Sequence, residues 1–95
     1  MVADAGMEYR KAVHAAQSKL LERAWKEPGF IDDDIFNLIY AMLEIMPQSL
    51  YWRMGQLRSM RAAILALAKE RGALSETKRV LAELPRYNTR RAQDN

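Results

Sequence analysis

The segment from Asp32 to Pro47 constrains the fold more than any other part of the sequence. Three consecutive aspartates open it, and an Asp N-cap followed by acid in the first turn is a strong signal for the start of a helix. The segment carries two adjacent apolar stripes. One begins just before the aspartates and consists of Ile31, Ile35, Leu38, Met42 and Ile45; the other consists of Phe36, Ile39, Leu43 and Met46. A helix that is apolar over more than half its circumference must be covered on two sides. We therefore predict a central helix that ends before Pro47.

A helix before this segment can supply part of the cover. Its predicted range is residues 7–26, with Asp4 as its cap and with Pro28-Gly29 as its stop signal. Apolar residues recur at steps of three or four along it: Tyr9, Val13, Ala16, Leu20 and Ala24. This spacing indicates one buried stripe on a surface helix.

The helix after the central segment is predicted over residues 49–71, with Gly72 as the residue that closes it. One face carries Leu50, Met54, Leu57, Ile64 and Ala68. The opposite side carries the small residues Gly55, Ser59, Ala62 and Ala66, flanked by Trp52 and Ala63. Small residues at this spacing let another helix approach closely. A glycine inside a helix costs about 1 kcal/mol relative to alanine, and close packing is one reason to tolerate it.

A short fourth helix is predicted over residues 76–84, with Ser75 as its N-cap and Pro85 after its end. Residues 86–95 are polar and basic, and are predicted to be a disordered tail. Residues 1–6 are predicted to be a flexible N-terminus. The fold prediction is therefore all-α: a compact helical bundle of three main helices plus a short C-terminal helix, in a single domain over residues 7–85.

The composition argues against several classes of function. The chain has 95 residues and no cysteine, so it forms no disulfide and no thiolate zinc site. The single histidine, His14, lies off the apolar stripe of its helix, and the four glycines are isolated, so no phosphate loop is present. The Asp triplet lacks the ligand spacing of an EF-hand. We expect no catalytic residues, no cofactor and no metal, and predict a cytoplasmic protein without a membrane span that is not an enzyme.

Charge is distributed unevenly along the chain. Residues 1–48 hold five Lys/Arg and eight Asp/Glu, whereas residues 49–95 hold ten and four. The basic half predicts either an anionic partner or an attraction between the two halves within one fold.

Nucleic-acid binding is one functional hypothesis, because the second and third helices with their short connection could form a helix-turn-helix. The residues that would contact DNA or RNA are Gln48, Arg53, Gln56, Arg58, Lys78, Arg79, Arg86, Arg90 and Arg91. The third helix is longer than a usual recognition helix, the second is too apolar to cross a phosphate backbone, and the Asp triplet adds negative charge to the same half of the molecule. These three points oppose the hypothesis.

Protein binding is the preferred hypothesis, because the third helix has two faces that can pack. The predicted interface consists of Tyr51, Trp52, Arg53, Gly55, Ser59, Arg61, Ala62 and Ala66. Trp and Arg are enriched at binding hot spots. The alternative is that Trp52 packs in the core of one chain while the arginines pair with Glu44 or an aspartate. We expect a homodimer or a subunit of a larger complex, of the kind that phage and plasmid regulators or inhibitors illustrate by analogy.

Overall fold

Four α-helices make up most of the chain. The computed structural model describes residues 2–47 and 50–85, with side chains described for residues 7–47 and 55–85. The helices are α1 (Val2–Lys26), α2 (Asp33–Ile45), α3 (Leu50–Glu70) and α4 (Leu74–Ala82), and these described residues contain no strand. The predicted all-α bundle is confirmed. Helix α2 packs against both α1 and α3, and α4 packs against α3.

Helix α1 begins earlier than the sequence pattern predicts. It starts at Val2 rather than at residue 7, so Asp4 lies inside the helix instead of capping it. Its end at Lys26 agrees with the Pro28-Gly29 signal. The amide of Phe30 donates to the carbonyl of Glu27 at 3.1 Å, and Gly29 has a φ of 85°. Pro at the second position and a positive φ at the third are typical of a type II turn.

The core is formed by one apolar cluster to which all four helices contribute. Five large apolar side chains have no exposed surface at all: Val13, Ile35, Ile39, Leu43 and Ile64. Three of these lie on α2, as expected for a helix that is covered from two sides. Gln17 of α1 is also buried, and its amide donates to the carboxylate of Glu44 at 2.9 Å.

An ion pair between acidic and basic halves of the sequence joins the start of α2 to the end of α3. The Asp32 carboxylate caps α2 by accepting from the amides of Asp34 at 2.9 Å and Ile35 at 3.3 Å. The Arg71 guanidinium donates to Asp32 at 2.5 Å and to Asp34 at 3.0 Å. The N-cap prediction is thus confirmed, and at this point the two halves attract each other.

The Asp32–Arg71 contact predicts a pH dependence of stability. Desolvation alone would raise the pKa of Asp32, but hydrogen bonds from Ile35, Arg71 and Asp34 outweigh it and lower the pKa below 3.8. Because the pKa of Asp32 is lower in the folded chain than in the unfolded chain, its carboxylate stabilises the fold at pH values above the unfolded pKa. This contribution is lost as the pH falls through the folded pKa. We expect Asp32→Asn, which keeps a capping oxygen, to lower the urea midpoint at neutral pH but to match the wild type well below about pH 4. A difference that is the same at every pH would contradict this account.

The connection between α3 and α4 confirms the predicted end of α3 but not the predicted start of α4. Gly72 has a φ of 70°, and the amides of Gly72 and Ala73 donate to the carbonyls of Lys69 and Ala68. This pattern is a Schellman motif, so the predicted end of the helix is confirmed. Helix α4 starts at Leu74, however, with Ala73 at the N-cap and no side-chain cap. The predicted cap Ser75 therefore lies inside α4, because the Schellman turn leads directly into it.

Thr77 of α4 carries a buried hydroxyl whose removal should stabilise the fold. The residue has no exposed surface, and its Oγ1 atom has no hydrogen-bond partner among the described residues. A buried polar group without a partner costs about 1–3 kcal/mol. We expect Thr77→Val, which keeps the shape, to raise stability by about 1 kcal/mol in chemical denaturation. Thr77→Ser is the control, since it keeps the hydroxyl and loses a methyl group. Destabilisation by Thr77→Val would show that the hydroxyl is satisfied.

Candidate functional site

The predicted interface on α3 forms an exposed strip of small residues. Gly55, Ser59, Ala62 and Ala66 are all exposed, and a Cβ atom added at Gly55 would meet nothing within 4 Å. No described part of the chain therefore packs closely on this strip. The side chains of Tyr51, Trp52 and Arg53 lie outside the described residues. What the structure describes of the strip is small-residue surface, which offers little apolar area to a partner.

Arg61, the other charged residue of the predicted interface, is half-buried and forms no ion pair with the described side chains. The acids that the alternative prediction pairs with Arg61 form other contacts. Glu44 accepts from Gln17, and Asp32 and Asp34 pair with Arg71. The alternative in which Arg61 bridges to these acids is therefore wrong.

The residues predicted for nucleic-acid binding are spread over two helices. Gln56 and Arg58 are exposed on α3, and Lys78 and Arg79 are exposed on α4. Gln48, Arg86, Arg90 and Arg91 lie outside the described residues, as does the side chain of Arg53. The two cations of α4 are accompanied by exposed Glu76 and Glu83 on the same short segment. Residues 74–84 therefore hold two cations and two acids, and this segment presents no excess of positive charge to a phosphate backbone.

The largest exposed apolar side chain among the described residues lies on α1 instead. Trp25 is 86% exposed, Leu21 one turn before it is 48% exposed, and Met7 is 58% exposed. At 3.6 residues per turn, Trp25 lies about 120° around the helix from the buried Val13. The apolar surface of α1 is therefore divided between a stripe that packs in the core and a second stripe that faces solvent.

The second stripe follows a seven-residue spacing. Met7, His14 and Leu21 are seven residues apart, and four residues after each come Lys11, Ser18 and Trp25. This is the spacing of the d and a positions of a coiled coil, which place side chains along one face of a helix. All six residues are exposed. We call this set the α1 face.

The charged neighbours of Trp25 do not cover its indole ring. Lys26 pairs with Glu22 at 2.6 Å, and Arg23 pairs with Glu27 at 3.0 Å. The Arg23 guanidinium also lies 4.5 Å from the centre of the Phe30 ring, on another side of the helix from Trp25. These contacts engage the charged neighbours with one another and leave Trp25 exposed at the C-terminal end of the α1 face.

The α1 face is a functional candidate that the sequence reasoning missed. The dominant stripe of α1 predicts one buried face, and His14 lies off that stripe. The signal was available in the spacing, because Met7, Leu21 and Trp25 fall together when α1 is drawn as a helix. The reasoning instead placed weight on Trp52, whose side chain lies outside the described residues.

Other kinds of site find no support in the described part of the chain. No group of three or more possible metal ligands occurs among the described residues, and none of the described helices is long and apolar enough to cross a membrane. Comparisons with models of known protein families, with curated proteins and with solved structures find no match. The class of protein that fold and surface define is a small all-α bundle with a helix face that exposes Met7, Leu21 and Trp25.

Proposed function

We propose that this chain is a non-enzymatic protein that acts in the cytoplasm by binding another protein, and that the α1 face is its binding surface. The observation that carries the proposal is the 86% exposure of Trp25 beside the half-exposed Leu21. Trp is enriched at interface hot spots, where a ring with two rotatable bonds supplies a large contact area. The proposal keeps the predicted class of function and moves its site from α3 to α1.

The indole ring of Trp25 exposes a large apolar area to water. Burial of a Trp side chain removes roughly 150–250 Å² from water, worth roughly 4–6 kcal/mol at about 25 cal/mol per Å² before the costs of association. The core already holds its own apolar cluster, so the fold does not need Trp25 for stability. Contiguous exposed apolar patches mark protein-interaction sites, and the neighbouring exposed side chains of Leu21 and Trp25 support a partner that covers them both.

Affinity capture tests the proposal. A tagged wild type and the variant Leu21→Ala/Trp25→Ala are used to capture proteins from the native host, in the presence of a differently tagged copy of the chain. We expect the proteins that the wild type retains, including any copy of the chain itself, not to be retained by Leu21→Ala/Trp25→Ala, because this variant lacks the apolar anchor. Lys69→Ala, on an exposed site of α3, is the control and should retain them. Equal retention by all three forms would overturn the proposal.

Nucleic-acid binding is the second candidate, favoured by one observation. Arg58, Lys78 and Arg79 are exposed, and within the described part of the chain they form no ion pair. The captured samples distinguish the two functions when nucleic acid is measured in them. Nucleic acid that is retained by the α1 variant, and released by Arg58→Ala or by added salt, would favour this alternative over protein binding.

A further inference from the structure

We infer that the partner of the α1 face is the α1 face of a second copy of this chain, packed antiparallel to the first. The inference rests on the proposed function and names the partner for the same surface. Two features of the face point to a second copy: its side-chain register and the charges along one flank.

The register is complementary to itself when the two helices run in opposite directions. In an antiparallel pair, a residue in a d position packs against one in an a position of the other helix. With the two-fold axis level with residue 16, Met7 meets Trp25 of the second copy. His14 then meets Ser18, and Leu21 meets Lys11, whose aliphatic stem can cover it. Met7 and Trp25 therefore gain apolar partners, Leu21 gains the aliphatic stem of Lys11, and no cation is trapped against another cation.

The charges on one flank of the face are complementary in the same register. Lys11 of one copy lies within about 1.5 Å along the axis of Glu22 of the other, and Glu8 lies within about 3 Å along the axis of Lys26 of the other. Within the described side chains, Lys11 and Glu8 form no ion pair, whereas Glu22 and Lys26 pair with each other in one chain. A parallel pair would instead place Lys11 against Lys11 and Glu22 against Glu22. Charge therefore favours the antiparallel arrangement.

The size of the contact predicts a dimer that dissociates on dilution. Eighteen steps from Met7 to Trp25 span about 27 Å at 1.5 Å per residue. A single pair of helices over this length falls at the small end of specific protein interfaces. We therefore expect a reversible equilibrium between monomer and dimer in the micromolar range, not an obligate dimer.

Sedimentation equilibrium on charge-reversed variants tests the pairing. Lys11→Glu and Glu22→Lys should each weaken the dimer about tenfold or more, because each creates two like-charged contacts across the axis. An equal mixture of the two variants should regain association, and so should the double variant K11E/E22K, which restores opposite charges only in the antiparallel register. Lys69→Glu on α3 is the matched control for Lys11→Glu, with the same change in net charge, and should dimerise as the wild type does.

The outcomes separate this inference from the proposed function. Circular dichroism melts first establish that every variant is folded. A wild type that stays monomeric to high micromolar concentration, or a double variant that does not recover, overturns the second-copy inference. Loss of the dimer through Ala62→Glu with no effect of Lys11→Glu also overturns it, since the interface would then lie on the α3 strip. If the wild type is monomeric while host capture still depends on Trp25, the partner is a different protein and the proposed function stands.

Discussion

Ile39→Ala is expected to cost about 2–5 kcal/mol of folding free energy, a large part of the roughly 5–15 kcal/mol that stabilises a typical domain. Ile39 lies at the middle of α2 and has no exposed surface. Removal of three carbons at this point loses the transfer free energy of the side chain and leaves a cavity that the surrounding helices can close only in part. Because α2 contacts both α1 and α3, the loss should affect the whole fold.

Urea denaturation followed by circular dichroism measures this effect. Asn37→Ala is the control, since Asn37 is exposed on the same helix and exposed substitutions usually change stability by less than about 0.5 kcal/mol. The midpoint should fall strongly for Ile39→Ala and stay nearly constant for Asn37→Ala. Similar midpoints for Ile39→Ala and the wild type would show that α2 is not the centre of the core.

Trp25→Ala is expected to have the opposite profile: a large loss of binding with almost no loss of stability. A hot-spot residue costs at least about 2 kcal/mol on truncation, which corresponds to a roughly thirtyfold weaker affinity. The free energy of unfolding should change by less than about 0.5 kcal/mol, because the side chain is 86% exposed in the single chain. The two variants together separate the residues that hold the fold from those that bind.

Affinity for the second copy, or for a captured partner, is measured by sedimentation or calorimetry alongside urea denaturation under dilute, monomeric conditions. Trp25→Phe is the conservative control and should retain part of the affinity, since it keeps an aromatic ring at the same point. A strong loss of stability in Trp25→Ala at low concentration would mean that the indole ring supports the fold instead of a partner.

The sequence alone was sufficient for α2, and the reason is physical. Its start depends on a local interaction, the Asp32 carboxylate with the amides of Asp34 and Ile35. Its apolar residues cover so much of the helix that burial on two sides is the only stable solution. The end of α3 was predictable for a similar reason, because Gly72 adopts a positive φ that favours glycine.

The helix starts of α1 and α4 could not be predicted in the same way. An acid at the N-cap and an acid in the first turn give the same sequence signature, so Asp4 did not fix where α1 begins. At α4, the prediction relied on a capping preference for Ser75. The partly buried Ala73 and Leu74 pack on the core, and this tertiary contact outweighs a preference worth about 1 kcal/mol.

The exposure of the α1 face could not be predicted from the individual residues either. The spacing of Met7, Leu21 and Trp25 places them on one face of α1. That this face is exposed depends on how α1 packs against α2, which the spacing does not give. On α3, the small residues were predicted to let another helix approach closely, and this stays a prediction. The structure shows that the strip from Gly55 to Ala66 is exposed, and that the large apolar side chains exposed among the described residues lie on α1.

The most direct test of the α1 face is ¹⁹F NMR of the chain labelled with 5-fluorotryptophan over a dilution series. The two tryptophans give two resonances, and Trp25→Phe assigns them. The proposed pairing predicts that the Trp25 resonance shifts as concentration rises, with the same midpoint as the dimerisation seen by sedimentation. A Trp25 resonance whose chemical shift does not change with concentration would contradict the pairing, whether or not the Trp52 resonance shifts.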